Sequence, residues 1–352
     1  MPTLKGETIE KVACHILQAA GAPGGHARTV ASHLADANLA GHDSHGLIRI
    51  PQYVRFMKEG RLRAAEEPQV VKETPTTAQV DGRWTFGQVV AKSATELAIR
   101  KAKEAGVGFV TMYNAGHTGR IGAYPEMAAQ VGMAAIMWSG SIGGPFPIVA
   151  PFGGRRPKLG TNPVAMAFPS GLEGPILLDF ATSMAAEGKL RVYRNRGKPL
   201  PDAWIIDSEG VPSTDPNDFY NGGALLPVGG LAGGHKGYAL SFIAGLFGLL
   251  AALGSPEAQE RNMRWGSAMI VIDVSRFAPL EEFQAGVREA VEYVKDTPPM
   301  KGFQGVLYPG EIEARTRQER LAKGVEVEET TWNEILECIR EYGLEDTLAP
   351  LP

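Results

Sequence analysis

The sequence predicts an α+β fold: a body of mixed, largely antiparallel sheet, with a helical unit built from both chain ends. Three observations carry this. Helical periodicity runs through residues 5 to 58 and returns after residue 280. Between these ends, short β-rich segments alternate with glycine turns. Those segments do not follow one another as clean strand, helix, strand units, so an all-parallel α/β sheet is not expected. The order helix, sheet, helix places residues 1–75 and 296–352 in one helical unit and residues 76–295 in the β-rich body.

Taken in order, Ile9, Val12, Ala13, Ile16 and Leu17 keep helical spacing until Gly21-Ala22-Pro23-Gly24 breaks the run. Val30, Leu34, Ala37 and Leu39 give a second helix, on which His26 and His33 carry no assigned role. Pro51 opens a third helix that runs to Glu59 and is stopped by Gly60, because a residue before proline is pushed out of the α region. Residues 61–80, charged and spotted with proline, read as a crossing between domains. Phe86 to Ala105 is a long helix ended by Gly106, and Ile121 to Gln130 a short one. Strands are expected at Val107 to Tyr113, Met133 to Ser139, Val164 to Phe168, Ile176 to Phe180, Ala203 to Asp207 and Ala268 to Val274. Leu280 to Val294, Glu311 to Lys323 and Thr331 to Tyr342 return to helix.

The chain has 352 residues, enough for two domains and a large core. Its 44% hydrophobic and 21% charged residues are those of a soluble globular protein. A net charge of −4 gives no reason to expect nucleic acid as a partner. Cys14 and Cys338 are far apart and form no CxxC, and the N-terminus lacks a signal-like apolar core, so a cytoplasmic location is expected. Gly237 to Gly254 runs without a charge but is short for a membrane span. It reads as a helix buried on all sides, with no membrane partner.

Chemistry concentrates in Gly41-His42-Asp43-Ser44-His45-Gly46-Leu47-Ile48-Arg49. If helical, His42, His45 and Arg49 share a face and converge on one small anion. An imidazole that titrates near neutrality beside a guanidinium that clamps a carboxylate is the pair that reduction of a 2-oxo acid needs. A zinc site built on His42 and His45 lacks a second pair of ligands at metal-like spacing, so no metal is expected. Neither G-x-G-x-x-G after a strand nor a P-loop occurs. In their place stand polar glycine turns at strand ends. Asn114 to Gly122 offers backbone N–H groups and Arg120 to a phosphate. Asp179, at the end of an apolar strand, needs a partner such as His45 or His117. Gly233-Gly234-His235-Lys236-Gly237 precedes the apolar helix and offers Lys236 to a phosphate.

These residues also carry a resemblance. The His42 to Gly46 motif, Gly119-Arg120-Ile121-Gly122, Pro151-Phe152-Gly153-Gly154, Gly160-Thr161-Asn162-Pro163, Leu178-Asp179-Phe180-Ala181-Thr182-Ser183, His235-Lys236-Gly237-Tyr238-Ala239-Leu240 and Pro309-Gly310-Glu311 together resemble the type-2 malate/L-lactate dehydrogenase family. Within it the hydroxycarboxylate dehydrogenase B type is the most similar. The resemblance implies NAD(P)H-dependent reduction of 2-oxo acids, or the reverse oxidation, on a non-Rossmann NAD(P)-binding fold, as a homodimer. NAD is the cofactor implied, with NADP as the alternative. Cyclic 2-imino acid reduction and ureidoglycolate or sulfolactate oxidation are other activities of the group. By the same resemblance His45 is the proton donor, Ser44 and Arg49 place the substrate carboxylate, Thr161 and Asp179 complete the catalytic pocket, and His117 lies close to it. It further implies that His45, Gly119, Arg120, Ile121, Leu177, Leu178, Asp179, Phe180, Ala181, His235, Lys236, Asn262, Gly310, Glu311, Ile312 and Glu313 contact the cofactor. A buried Asp179 near His45 would raise the pKa of that histidine.

Overall fold

The computed structural model describes residues 1–143, 147–253, 255 and 265–351. Asn262 therefore lies outside the described residues, as does part of the glycine- and proline-rich stretch after Ser141.

Helices α1 (Gly6–Ala19), α2 (Gly24–Leu39) and α3 (Ile50–Lys58) open the chain after the short strand β1 (Thr3–Leu4). Ile9, Val12, Ala13, Ile16 and Leu17 are all fully buried, the face the spacing predicted. Helix α3 begins at Ile50, not at Pro51. Ile50 adopts helical angles although a proline follows, and burying its side chain completely outweighs that local preference. Residues 61–80 hold more than a crossing: β2 (Gln69–Glu73) and β3 (Thr77–Asp81) pair there as an antiparallel hairpin. All of β2 is exposed, so it carries no alternating apolar signal for a sequence reading to find.

The body continues with α4 (Gly87–Ala105), β4 (Val107–Tyr113), α5 (Ala123–Gln130), β5 (Met133–Gly140), β6 (Val164–Phe168) and β7 (Ile176–Phe180). A small lobe follows, with α6 (Glu187–Asn195), β8 (Ile205–Ile206), β9 (Pro212–Ser213), α7 (Pro216–Tyr220) and β10 (Ala224–Leu225). Then come α8 (Gly230–Ala252), β11 (Gly266–Asp273), α9 (Leu280–Lys295), α10 (Glu311–Lys323), β12 (Val325–Glu326), α11 (Glu329–Glu341) and α12 (Glu345–Leu348).

The main sheet runs β2-β3-β4-β11-β5-β6-β7. Only the β3–β4 pair is parallel; every other pair in it is antiparallel. Side-chain alternation along β5 assigns its two faces. Ala135 and Met137 join the core that α4 and α5 cover, whereas Trp138 stacks on Phe247 of α8 with ring centroids 4.3 Å apart. A second core draws on both chain ends: residues of α1, α2 and α3 pack with Val325, Trp332, Ile335, Cys338 and Ile339.

Two expectations for α8 are corrected. The helix starts at Gly230, so His235 and Lys236 lie within its early turns and not before it. The glycines are helical because they let the backbone approach the body: a Cβ on Gly248 would sit 1.9 Å from the Gly140 carbonyl oxygen, and one on Gly237 2.1 Å from that of Val228. Nor is the helix buried on all sides. Its small residues face the sheet, while Phe242, Ile243, Leu246, Leu250 and Leu253 form an exposed apolar stripe.

Candidate active site

The His42–Arg49 segment is not one helix. Two 3-10 turns, Asp43–His45 and Leu47–Arg49, lead into α3. Asn38 of α2 sets this path: its Oδ1 accepts from Leu47 N at 2.9 Å and its Nδ2 donates to Asp43 Oδ1 at 2.7 Å. Gly46 is obligatory there, since a Cβ would lie 2.1 Å from Asn38 Oδ1. From the far end of the chain, α10 clamps the same loop. Arg320 donates to both Asp43 carboxylate oxygens at 2.6 and 3.0 Å, and Glu313 stands 3.6 Å from His42 Nε2. Arg317 holds Asp36 at 2.5 Å. Glu313, Arg317 and Arg320 are four and three residues apart, one helical face.

His45 stacks on His117, with centroids 5.5 Å apart and planes at 16°. Ser44 Oγ lies 3.0 Å from His45 Nδ1. Arg49 is fixed by its own loop, donating from Nε to the Ser44 carbonyl oxygen at 2.6 Å and from Nη1 to Gln52 Oε1 at 2.9 Å. Ser44, His45, Arg49 and His117 are thus brought together. The pKa of His45 is pushed down to about 3, chiefly by burial and then by the charges of Arg49 and His42. Burial, then Arg49 and His45, hold His117 well below its ordinary value. The expectation that Asp179 raises the pKa of His45 is therefore overturned.

Asp179 belongs to a neighbouring cluster. Its Oδ2 accepts from Gly122 N at 2.9 Å, and the charges that act on it are those of His42, Arg120 and Glu313. Burial raises the pKa of Asp179, opposed by His42, Arg120 and the Gly122 N–H. The bond to Gly122 ties the Gly119–Gly122 turn to β7, and Leu177 N donates to the Pro309 carbonyl at 2.9 Å, which brings Gly310 alongside. Thr161 is held by its carbonyl, which accepts from Thr182 N and Oγ1 at 2.9 and 3.0 Å. Val228 N donates to the Thr182 carbonyl at 2.8 Å, and this joins the segment leading to His235 and Lys236, both exposed, to the same strand end.

Two proposed phosphate or cofactor contacts are committed to the protein. Arg120 is 2% exposed, and its Nη2 is shared between Asp36 and Glu126, each at 2.7 Å. Glu311 is 4% exposed and accepts from Lys295 at 2.7 and 2.8 Å and from Arg315. Ile312 is exposed. The sequence reading also missed three residues. His33 accepts the Arg120 N–H at Nε2, 3.0 Å away, and stacks on Tyr124. Tyr53 bonds His117, and Gln88 bonds Tyr53. Tyr53 lies one helical turn beyond Arg49, the only sequence signal for it.

The sequence profile of the malate/L-lactate dehydrogenase family matches residues 4–336. The chain belongs to this family. It is 37% identical over 338 residues to the malate dehydrogenase of Pyrococcus horikoshii, covering 94% of this chain and 92% of that protein. It is 38% identical over 332 residues to the hydroxycarboxylate dehydrogenase B of Escherichia coli K12, covering 92% and 90%. The crystal structure of malate dehydrogenase from Entamoeba histolytica superposes with a TM-score of 0.90 at 30% identity, covering 100% of this chain and 99% of that one. These relatives are dehydrogenases of hydroxy acids, and this family member is an oxidoreductase.

Proposed function

We propose that the chain interconverts a 2-oxo carboxylic acid and its 2-hydroxy acid with a nicotinamide cofactor on a non-Rossmann fold, NAD being preferred and His45 acting as proton donor and acceptor. The observation that carries this is the parallel His45–His117 pair beside the Arg49 guanidinium.

The residues present fit a dinucleotide. A cavity of about 400 Å³ is lined by Leu177, Gly310 and Glu313, with the Asp36 and Glu126 carboxylates that hold Arg120 in its wall. Backbone groups of Gly119–Ile121, Leu177–Ala181 and Gly310–Glu313, with the exposed side chains of His235 and Lys236, would hold the cofactor. When bound, its reduced nicotinamide supplies the hydride for the substrate carbonyl carbon.

Arg49 keeps N–H groups beyond those given to Ser44 and Gln52, and these receive the substrate carboxylate. That carboxylate offsets the Arg49 charge, the second cause of the depressed His45 pKa, so substrate binding raises the proton affinity of His45. With Nδ1 engaged by Ser44 Oγ, Nε2 gives the proton to the oxygen on which charge develops. Thr161 and Asp179 support the pocket from the β6–β7 side.

The exposed stripe on α8 supports a homodimer, because a second copy would remove those apolar side chains from water. The two free cysteines support a cytoplasmic setting.

The test is cofactor oxidation followed by absorbance, with pyruvate, phenylpyruvate, hydroxyphenylpyruvate, oxaloacetate and piperideine-2-carboxylate, using NADH and then NADPH. Turnover of a 2-oxo acid with NADH supports the proposal. Turnover of the cyclic imine alone replaces it with imine reduction, and failure to bind either nucleotide overturns it.

A further inference from the structure

Two stacked imidazoles in one site leave open which of them carries the proton, and the hydrogen bonds behind His117 decide. Gln88 Nε2 donates to the Tyr53 hydroxyl oxygen at 2.7 Å, and that hydroxyl lies 2.8 Å from His117 Nδ1. A phenol has one proton to give. The Tyr53 oxygen accepts from Gln88, and among the described residues the acceptor its own proton meets is His117 Nδ1. Tyr53 is 2% exposed and Gln88 1%, which keeps bulk solvent from competing for these bonds. Tyr53 also packs edge-on against Phe86, with centroids 6.2 Å apart, and this holds the phenol in line.

We propose that Tyr53, held by Gln88, donates its hydroxyl proton to Nδ1 of His117 and fixes that ring as the neutral Nε2–H tautomer, leaving His45 as the member of the stacked pair that carries the transferable proton. The inference rests on the 2-oxo acid reading for its use in catalysis, but the tautomer itself does not. Burial pushes the Tyr53 pKa up to about 12, in keeping with a phenol that stays protonated. A second imidazolium 5.5 Å from a protonated His45 and close to Arg49 would add like charge at the substrate carboxylate site. A neutral His117 avoids this and still presents an Nε2–H donor. Tyr53 and Gln88 are therefore positioning residues, acting through His117.

The experiment is nitrogen-15 NMR of the histidine rings in the full-length protein, with His117 assigned through its bonded backbone. At neutral pH the wild type is expected to show a protonated Nε2 and a bare, hydrogen-bonded Nδ1. In Tyr53→Phe the His117 signals should shift toward a mixture of tautomers, with kcat for the 2-oxo acid lowered about 3- to 10-fold, the range one neutral hydrogen bond supports. Tyr53→His or Gln88→Ala is not needed for the decision, because the wild-type spectrum alone tests it: a proton on Nδ1 of His117 overturns the proposal. An unchanged His117 tautomer in a folded Tyr53→Phe protein also overturns it. If no 2-oxo acid is turned over yet the spectrum is as expected, the tautomer assignment stands and the substrate reading fails.

Discussion

Gly122 donates its backbone N–H to Asp179 Oδ2 at 2.9 Å, joining the turn after β4 to the end of β7, 57 residues later in the chain. A Cβ on Gly122 would lie 2.6 Å from that same oxygen. Gly122→Ala is therefore expected to displace Asp179, cost about 1–3 kcal/mol as overpacking, and lower cofactor affinity. Thermal unfolding and nucleotide titration measure the two effects; wild-type values for both would show that the contact is dispensable.

His45→Ala removes the proposed proton donor. Turnover of the 2-oxo acid should fall about 10²- to 10⁴-fold while nucleotide affinity changes little. Steady-state kinetics with parallel fluorescence binding would check this, and retained turnover would take His45 out of the mechanism.

Arg49→Ala leaves the imidazole pair but removes the carboxylate clamp. The KM of the oxo acid should rise roughly 10- to 100-fold, the equivalent of about 1.5–3 kcal/mol for a charge-assisted bond. A change confined to kcat would assign Arg49 elsewhere.

Reduction needs a protonated His45, so rate falls as pH rises through its pKa. Substrate binding neutralises part of the Arg49 charge that depresses this pKa. The falling limb of kcat is expected at higher pH than that of kcat/KM, because the first reports the complex and the second the free enzyme. Coincident limbs would remove the coupling between Arg49 and His45.

The pKa of His33 is lowered to about 4 by burial and then by Arg120. The unfolded chain, with an ordinary value near 6.5, binds this proton first. Stability is thus complete above about pH 6.5 and declines as pH falls toward 4. His33→Gln should flatten that decline in melting temperature, measured at a series of pH values; an equal slope in the variant would place the sensitivity on other groups.

On α8, Leu246→Asp with Leu250→Asp puts charge in the exposed apolar stripe without touching the face that packs on the sheet. Light scattering should report loss of the proposed dimer with the fold kept. A dimer of unchanged stability would move the interface to another surface.

The local pattern settled much of the architecture. Strands β4, β6 and β7 fall where apolar runs between glycine turns predicted them, because strands that keep most of their side chains out of water leave an apolar signature. The exposed strand β2 leaves none and was missed. Helix α8 was recognised as apolar, but periodicity does not say which side of a glycine-rich helix faces the sheet. Only close backbone approach at Gly248 and Gly237 fixes that.

The sequence by itself determined the family and gathered Ser44, His45 and Arg49, since they lie within one short loop whose spacing survives any packing. It left the partners of each charged group open. Asp179 meets Gly122, His117 meets Tyr53 across 64 positions, and Arg320 reaches Asp43 across 277. Such pairings depend on how segments far apart in the chain dock on one another. Buried polar groups must find partners wherever the docked surfaces bring them, so the tertiary structure alone decided which arginine is spoken for.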